Sequence, residues 1–293
     1  MIHRFIALLT VTAFAVFAYS PVNGVEGIFK NGFEDPTTQL IHRWTFSENG
    51  GSGTPLVDDI GGADGSIIEL GNWNAWAAFG KLTLYGSRKG GSQETSDYVT
   101  LPAGLLSGLE DASIEIWATH DSLQKWGRIF DVGTSAGNSL LMTWDFSGDA
   151  NSDRVQWNGS SNDVIDGVMA PYVIGTEYQI VMSIEKSEGD DSSSLVRLYR
   201  DGVLQGERYV DHTLTDVADG EFLLARSRYA NEPTASCSFN EIRIYNGVLT
   251  DEEIARRFSE GPVDDRAVNT VEMVESIEAY PFNKRQINHT VTS

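Results

Sequence analysis

Two groups of residues carry the side chains that could do chemistry. The first is Asp58-Asp59-Ile60-Gly61-Gly62-Ala63-Asp64-Gly65, three carboxylates among glycines that let backbone carbonyls turn inward. Calcium takes several oxygen ligands of this kind, so the loop is a candidate cation site; an acidic turn exposed to water has the same composition. Its spacing is not that of an EF-hand, and no Cys and His set suggests zinc. The second group is aromatic. All seven tryptophans fall between Trp44 and Trp157, and an aromatic face beside amides, carboxylates or guanidinium groups can stack on a sugar ring and bond its hydroxyls. Trp144, Trp157, Asn158 and Arg226 form one candidate platform, and plain packing of the same rings is the competing reading. Trp44 and Trp117 sit in core-like patterns and are expected to be buried; Trp73 and Trp76 lie in the loop-like segment GNWNAWAAFG.

The elements that must position these groups read as strands. From Leu40 onward, short apolar alternations are separated by Gly, Asp, Asn and Ser clusters, with almost no helical period before Thr250. Predicted strands include 40–46, 65–70, 81–85, 98–101, 113–120, 128–132, 139–145, 154–157, 177–185, 194–200, 206–211 and 221–225. Asp201-Gly202 marks a tight hairpin, because that pair suits positive φ. The last strand, through Tyr245, is expected to send Asn240, Ile242 and Ile244 to one face and Phe239, Glu241, Arg243 and Tyr245 to the other. Behind it, Thr250 with Glu253 forms a capping box that starts a short helix. Glu115 and Arg243 each stand between isoleucines, so they either pair across adjacent strands or both face water.

Composition bounds the setting. Met1-Ile2-His3-Arg4 followed by an apolar run from Phe5 to Tyr19 has the order of a secretory signal, too short to span a bilayer comfortably. Residues 1–24 are expected to be that signal and 25–38 a linker. Residues 39–262 are one domain, and 263–293 form a tail, partly helical through Val268, Val271, Val274 and Ile277. The expected location is secreted, periplasmic or cell surface, with no membrane insertion after signal removal. The chain carries 42 acidic and 21 Lys and Arg side chains, a formal charge of −21 that becomes −22 once Arg4 is lost. Such a field disfavours nucleic acid, whose affinity comes from neutralised phosphates. Cys237 is the only cysteine, so no internal disulfide forms and the core must stand alone.

Six segments in order resemble the laminin G-like domain of the concanavalin A-like lectin/glucanase superfamily. They are HRWTF at 42–46, DDIGGADGSI at 58–67, YVTLPAGLLSGLEDASIEIWATH at 98–120 with WGRIFDVG at 126–133, LVRLYRDGVL at 195–204, LLARSRYAN at 223–231, and the terminal strand and helix. The resemblance spans residues 40–261 and implies an all-β, two-sheet antiparallel β-sandwich, a jelly roll, with a short helix after the last strand. It also implies a structural calcium ion held by Asp59, Asp64 and Asn240, although Asn240 stands where the family usually has Asp. Glucanases of this superfamily place their carboxylates on one strand as ExDxE, and no such string occurs here. Jelly-roll lyases use a Tyr, His and Arg set; Tyr199 or Tyr245 with His42 or His212 have no supporting spacing. The reading is a non-catalytic recognition or adhesion module for a glycan or polysaccharide, or for a cell-surface protein, with a polysaccharide-cleaving enzyme as the remaining alternative.

Overall fold

The computed structural model describes residues 38–70, 75–87, 93–217 and 220–263. The expected signal, nearly all of the linker and tail, and Trp73 lie outside the described residues. The first eight strands are β1 Gln39–Trp44, β2 Pro55–Leu56, β3 Gly65–Ile68, β4 Ala75–Ala77, β5 Leu82–Leu84, β6 Tyr98–Leu101, β7 Ala112–His120 and β8 Gly127–Ser135. The remainder are β9 Asn138–Asp145, β10 Arg154–Trp157, β11 Val164–Asp166, β12 Glu177–Lys186, β13 Ser194–Arg200, β14 Val203–Val210, β15 Glu221–Leu224 and β16 Cys237–Asn246, and α1 Asp251–Glu260 follows.

They form two antiparallel eight-stranded sheets, as the resemblance implies. The first runs β14-β13-β12-β7-β16-β5-β4, with β1 also paired to β16; the second runs β11-β10-β9-β8-β15-β6-β3-β2. The opening strand therefore lies beside the last one, with Arg43 opposite Arg243 and Trp44 opposite Ile242. Between the sheets, Ile114, Ile116 and Ala118 of β7 meet Phe130, Met142 and Trp144 of β8 and β9 in one apolar core. Each fully buried large side chain contributes about 1.5–3 kcal/mol. Asp201 and Gly202 adopt φ 52° and 80°, the positive-φ pair that closes the β13–β14 hairpin.

One extra residue changes the facing of β16. Phe239 lies opposite Ala118 and Glu241 opposite Trp117, so Asn240 is a bulge. Phe239 consequently joins Ile242 and Ile244 in the core, while Glu241, Arg243 and Tyr245 turn outward together. The expected strict alternation fails here because a bulge shifts the parity by one.

That outward set is a buried charge network beneath α1. Arg243 lies opposite Glu115 in the ladder, as a cross-strand pair requires. Its Nη1 donates to Glu115 Oε2 at 3.2 Å, and its Nε and Nη2 donate to Glu241 at 2.7 and 2.8 Å. Glu115 also accepts from Tyr245 at 2.8 Å, Gln179 at 2.8 Å and Trp117 at 3.2 Å; Arg43 Nε donates to Glu241 at 2.7 Å. Burial disfavours the charge on Arg243, but Glu115 and Glu241 outweigh it and hold the guanidinium protonated. Thr250 and Glu253 complete the expected capping box, and Phe258 stacks on Trp117 with ring centroids 6.1 Å apart. Ile254 packs with Val181, Tyr199, Tyr245 and Leu249.

The acidic loop is organised around Asp58, and the reason is the direction of its backbone amides. Asp58 Oδ1 accepts from the N–H groups of Arg43, Ile60 and Gly61 at 2.9, 3.1 and 3.0 Å. Its Oδ2 accepts from Ala63 N–H at 3.0 Å and lies 2.6 Å from His42 Nδ1. A loop that points N–H groups inward cradles an anion, and here the anion is its own carboxylate. The three side chains expected to hold calcium each face a protein partner. Asp64 Oδ1 accepts from Asp58 N–H at 3.0 Å, Asp59 Oδ2 from Thr45 Oγ1 at 3.3 Å, and Asn240 lies near enough to Glu177 to lower its pKa. Among the described residues no group of three or more His, Cys, Asp and Glu side chains is placed to hold a metal ion. Thermal melts in EGTA and in added calcium are therefore expected to coincide; a midpoint several degrees higher in calcium would restore the metal reading.

Candidate functional site

The outer face of the first sheet exposes the aromatic rings of Trp76 and Tyr85, and strand register sets Trp76 at the end of a polar row. Trp76 pairs with Thr83, Thr83 with Ser238, Ser238 with Thr119, and Thr119 with Glu177. The row crosses β4, β5, β16, β7 and β12, five consecutive strands of the first sheet. At about 4.8 Å per strand it extends about 19 Å. Every member points away from the core, because its flanking neighbours Ala75, Ala77, Leu82, Leu84, Cys237, Phe239, Ala118 and Tyr178 point into it.

Local sequence explains the aromatic end. Phe79 and Gly80 take φ 55° and 71°, and Ala78 and Lys81 exchange backbone hydrogen bonds at 2.9 and 3.1 Å. This two-residue hairpin sets Trp76 opposite Thr83. A Cβ on Gly51 would lie 3.1 Å from the indole, so glycine is what lets the ring settle against that backbone. Trp76 nevertheless remains 49% exposed, and Tyr85, two residues beyond Thr83 on the same face, is 61% exposed.

Polar groups with both donor and acceptor character surround the row. Glu177 and Asp121 are both exposed carboxylates pushed upward by partial burial, an effect that Lys81 opposes at each. The neighbouring Asn240 and Ser238 side chains also lower the Glu177 and Asp121 values, although Ser238 Oγ is buried and makes no hydrogen bond among the described residues. The bulge that carries Asn240 brings its amide to this face. The arrangement offers an aromatic face, the partly exposed Thr83 hydroxyl, Ser238 and Thr119 at only 2% and 6% exposure and, at the far end, carboxylates, an ammonium and an amide. Those are the elements that orient polyhydroxylated rings.

The platform read from sequence is not assembled. Trp144 and Trp157 are 1% and 0% exposed, because they share parity with Leu140, Met142 and Val155 and point between the sheets. Trp144 stacks on His120 at 5.0 Å. Burial pulls the His120 imidazole down to about 4, against the pull of Asp145, so it is neutral packing material. Asn158 sits in the turn after β10 with φ 47°, its N–H bonded to Ser139. Arg226 lies beyond β15, over the Tyr98 ring. Trp44 and Trp117 are buried as expected, Trp117 under α1 and not between the sheets. The Tyr and His residues weighed for lyase chemistry occupy separate structural contacts. Tyr199 bonds Asp251, Tyr245 bonds Glu115, His42 meets Asp58, and His212 meets Asp163.

Solved structures share this architecture at low identity. Domain 4 of AbnA, an extracellular GH43 arabinanase of Geobacillus stearothermophilus solved with arabinotriose, aligns at TM-score 0.54 and 18% identity, over 75% of this chain and 98% of that one. Trypanosoma rangeli sialidase aligns at TM-score 0.54 and 17% identity over 75% of this chain but only 32% of its own. The binding domain of botulinum neurotoxin DC, solved with rat synaptotagmin II, aligns at TM-score 0.52 and 14% identity over 76% and 52%. No curated protein matches by sequence. The Laminin_G_3 family model matches residues 93–255, more than half of the chain. The protein therefore belongs to this family of the concanavalin A-like lectin/glucanases superfamily.

Proposed function

We propose that the chain is a carbohydrate-recognition module acting outside the cytoplasm, with the Trp76 row as its glycan-binding surface. The observation that carries the reading is the exposed Trp76 ring in register with Thr83, Ser238, Thr119 and Glu177. The apolar run after Arg4 supports the extracytoplasmic setting. The arabinanase domain solved with arabinotriose lends support from the fold side. The ligand class at this row is a glycan without carboxylates or sulfates, since the Asp121 and Glu177 carboxylates beside it repel anions.

A glycan array followed by calorimetry on the hits tests this. Trp76→Ala is expected to weaken binding ten- to a hundredfold, about 1.4–2.7 kcal/mol, with an unchanged melting temperature. Unchanged affinity in the variant, or no neutral glycan bound by the wild type, would remove the reading. Asp121 directly follows β7, and Glu177 opens β12 opposite Thr119; both are exposed, and neither is held as the partner of the other in an acid and base pair. The wild type is accordingly expected to release no reducing ends from the oligosaccharides it binds, whereas release abolished by Glu177→Gln would make it a hydrolase.

A further inference from the structure

The outer face of the second sheet holds a guanidinium with no carboxylate to answer it. Ala225, directly after β15, has φ 62°, an unusual conformation for a residue with a Cβ, and it is fully buried. The turn it makes lifts the following residues over the sheet. Arg226 lies flat on Tyr98, 4.2 Å from Cζ to ring centroid, and its Nη1 donates to the Gln93 carbonyl at 2.9 Å. It forms no ion pair among the described residues, and burial pulls its pKa down with only Tyr98 opposing.

The neighbouring charges are already committed. Buried Arg128 donates to Glu232 at 2.5 Å and to Ser227 Oγ at 2.9 Å, and its Nε lies 3.4 Å from Asp131 Oδ2. Arg228 bonds the Glu221 carbonyl and takes Asp131 Oδ2 on its backbone N–H. The Arg228 Nε and Asp131 Oδ1 face each other at 3.4 Å without a hydrogen bond, and both atoms are buried. Asp131, Glu232 and Glu221 thus serve Arg128 and Arg228, which leaves Arg226 as a half-buried cation with no ion pair among the described residues. A partly desolvated guanidinium of this kind keeps free N–H groups for an anion. On the same outer face, Thr100 of β6 follows Tyr98 by two residues and pairs with Ser66 of β3, so two hydroxyl side chains lie one strand step along from Tyr98.

We propose that Arg226, stacked on Tyr98 beside Thr100 and Ser66, is a second site that binds the carboxylate of an acidic sugar. A planar guanidinium can take a carboxylate on two parallel N–H groups, and the adjacent hydroxyls suit the remainder of a sugar ring. This site lies on the opposite sheet from the Trp76 row and stands without it.

Calorimetry with oligogalacturonate, its methyl ester and a glutamate peptide of equal charge tests the assignment. Oligogalacturonate is expected to bind, with the neutral ester and the peptide each at least tenfold weaker. Arg226→Ala should lose at least tenfold and Arg226→Lys should fall between it and the wild type, with both melting as the wild type does. Trp76→Ala should leave this binding untouched, which separates it from the neutral-glycan reading. Equal binding of acid and ester, or full affinity in Arg226→Ala, would overturn the proposal. Equal binding of the glutamate peptide would overturn it in favour of an acidic peptide ligand.

Discussion

Arg243→Ala is expected to lower the unfolding free energy by about 3–5 kcal/mol, read as a shift in the urea midpoint at constant slope. The size follows from what stays behind. Glu115 and Glu241 are almost fully buried, and each retains a carboxylate whose principal cation has gone. Glu115 keeps its neutral donors Tyr245, Gln179 and Trp117, and Glu241 keeps Arg43, so the network is weakened without being emptied. Because α1 covers the same face, the Trp117–Phe258 stack should loosen, and tryptophan fluorescence should report it. Replacing the charges together, as Glu115→Leu with Arg243→Met and Glu241→Leu, should cost less than the single change, since no buried charge on β7 or β16 is then left unpaired. A single Arg243→Ala shift below about 1 kcal/mol would mean that water reaches the network and that α1 does not seal it.

The second large effect lies at Asp58. Burial pushes this carboxyl up, but the hydrogen bonds from Arg43, His42, Gly61 and Ala63 outweigh it and bring it down to about 2 from 3.8. A folded-state value below the unfolded one means that the native state holds fewer protons between the two. Its contribution, about 2 kcal/mol, is therefore complete above pH 4 and disappears as the pH falls toward 2. Asp58→Asn should lose at least that much at pH 7, because the amide NH2 confronts N–H donors where an acceptor oxygen stood. The gap between variant and wild type should narrow on acidification through this window. A gap that stays constant from pH 7 to pH 2 would show that the carboxylate charge is not what organises the 58–64 loop.

How much of this was legible in the chain depends on sequence distance. The last strand and α1 announced themselves because the signals are local: the apolar period, Thr250 with Glu253, and Asp201-Gly202 at the preceding hairpin. β4 was missed because its turn is Phe79-Gly80, and a phenylalanine at positive φ is not a turn signal. The Trp76 row was invisible for a different reason. Residues 76, 83, 119, 177 and 238 meet only through pairing of five strands, and the register of long-range pairs is not written in any one of them. The acidic loop is ambiguous in sequence because its composition serves a bound cation and an internal anion equally well. What separates them is whether carbonyls or N–H groups point inward, and only the backbone shows that. Trp144 and Trp157 misled because β9 is apolar on both faces, Leu141 and Met142 included, so parity alone does not say which side is interior.

A neutral glycan bound at this face is expected to lie across the strands from Trp76 to Glu177. Amide chemical-shift mapping with the best neutral hit from the array addresses it most directly. The expected perturbations fall on Trp76 with its indole N–H, Thr83, Ser238, Thr119 and Glu177, in one continuous band. Shifts confined to the second sheet or to loops away from this row, with Trp76 unmoved, would contradict the account.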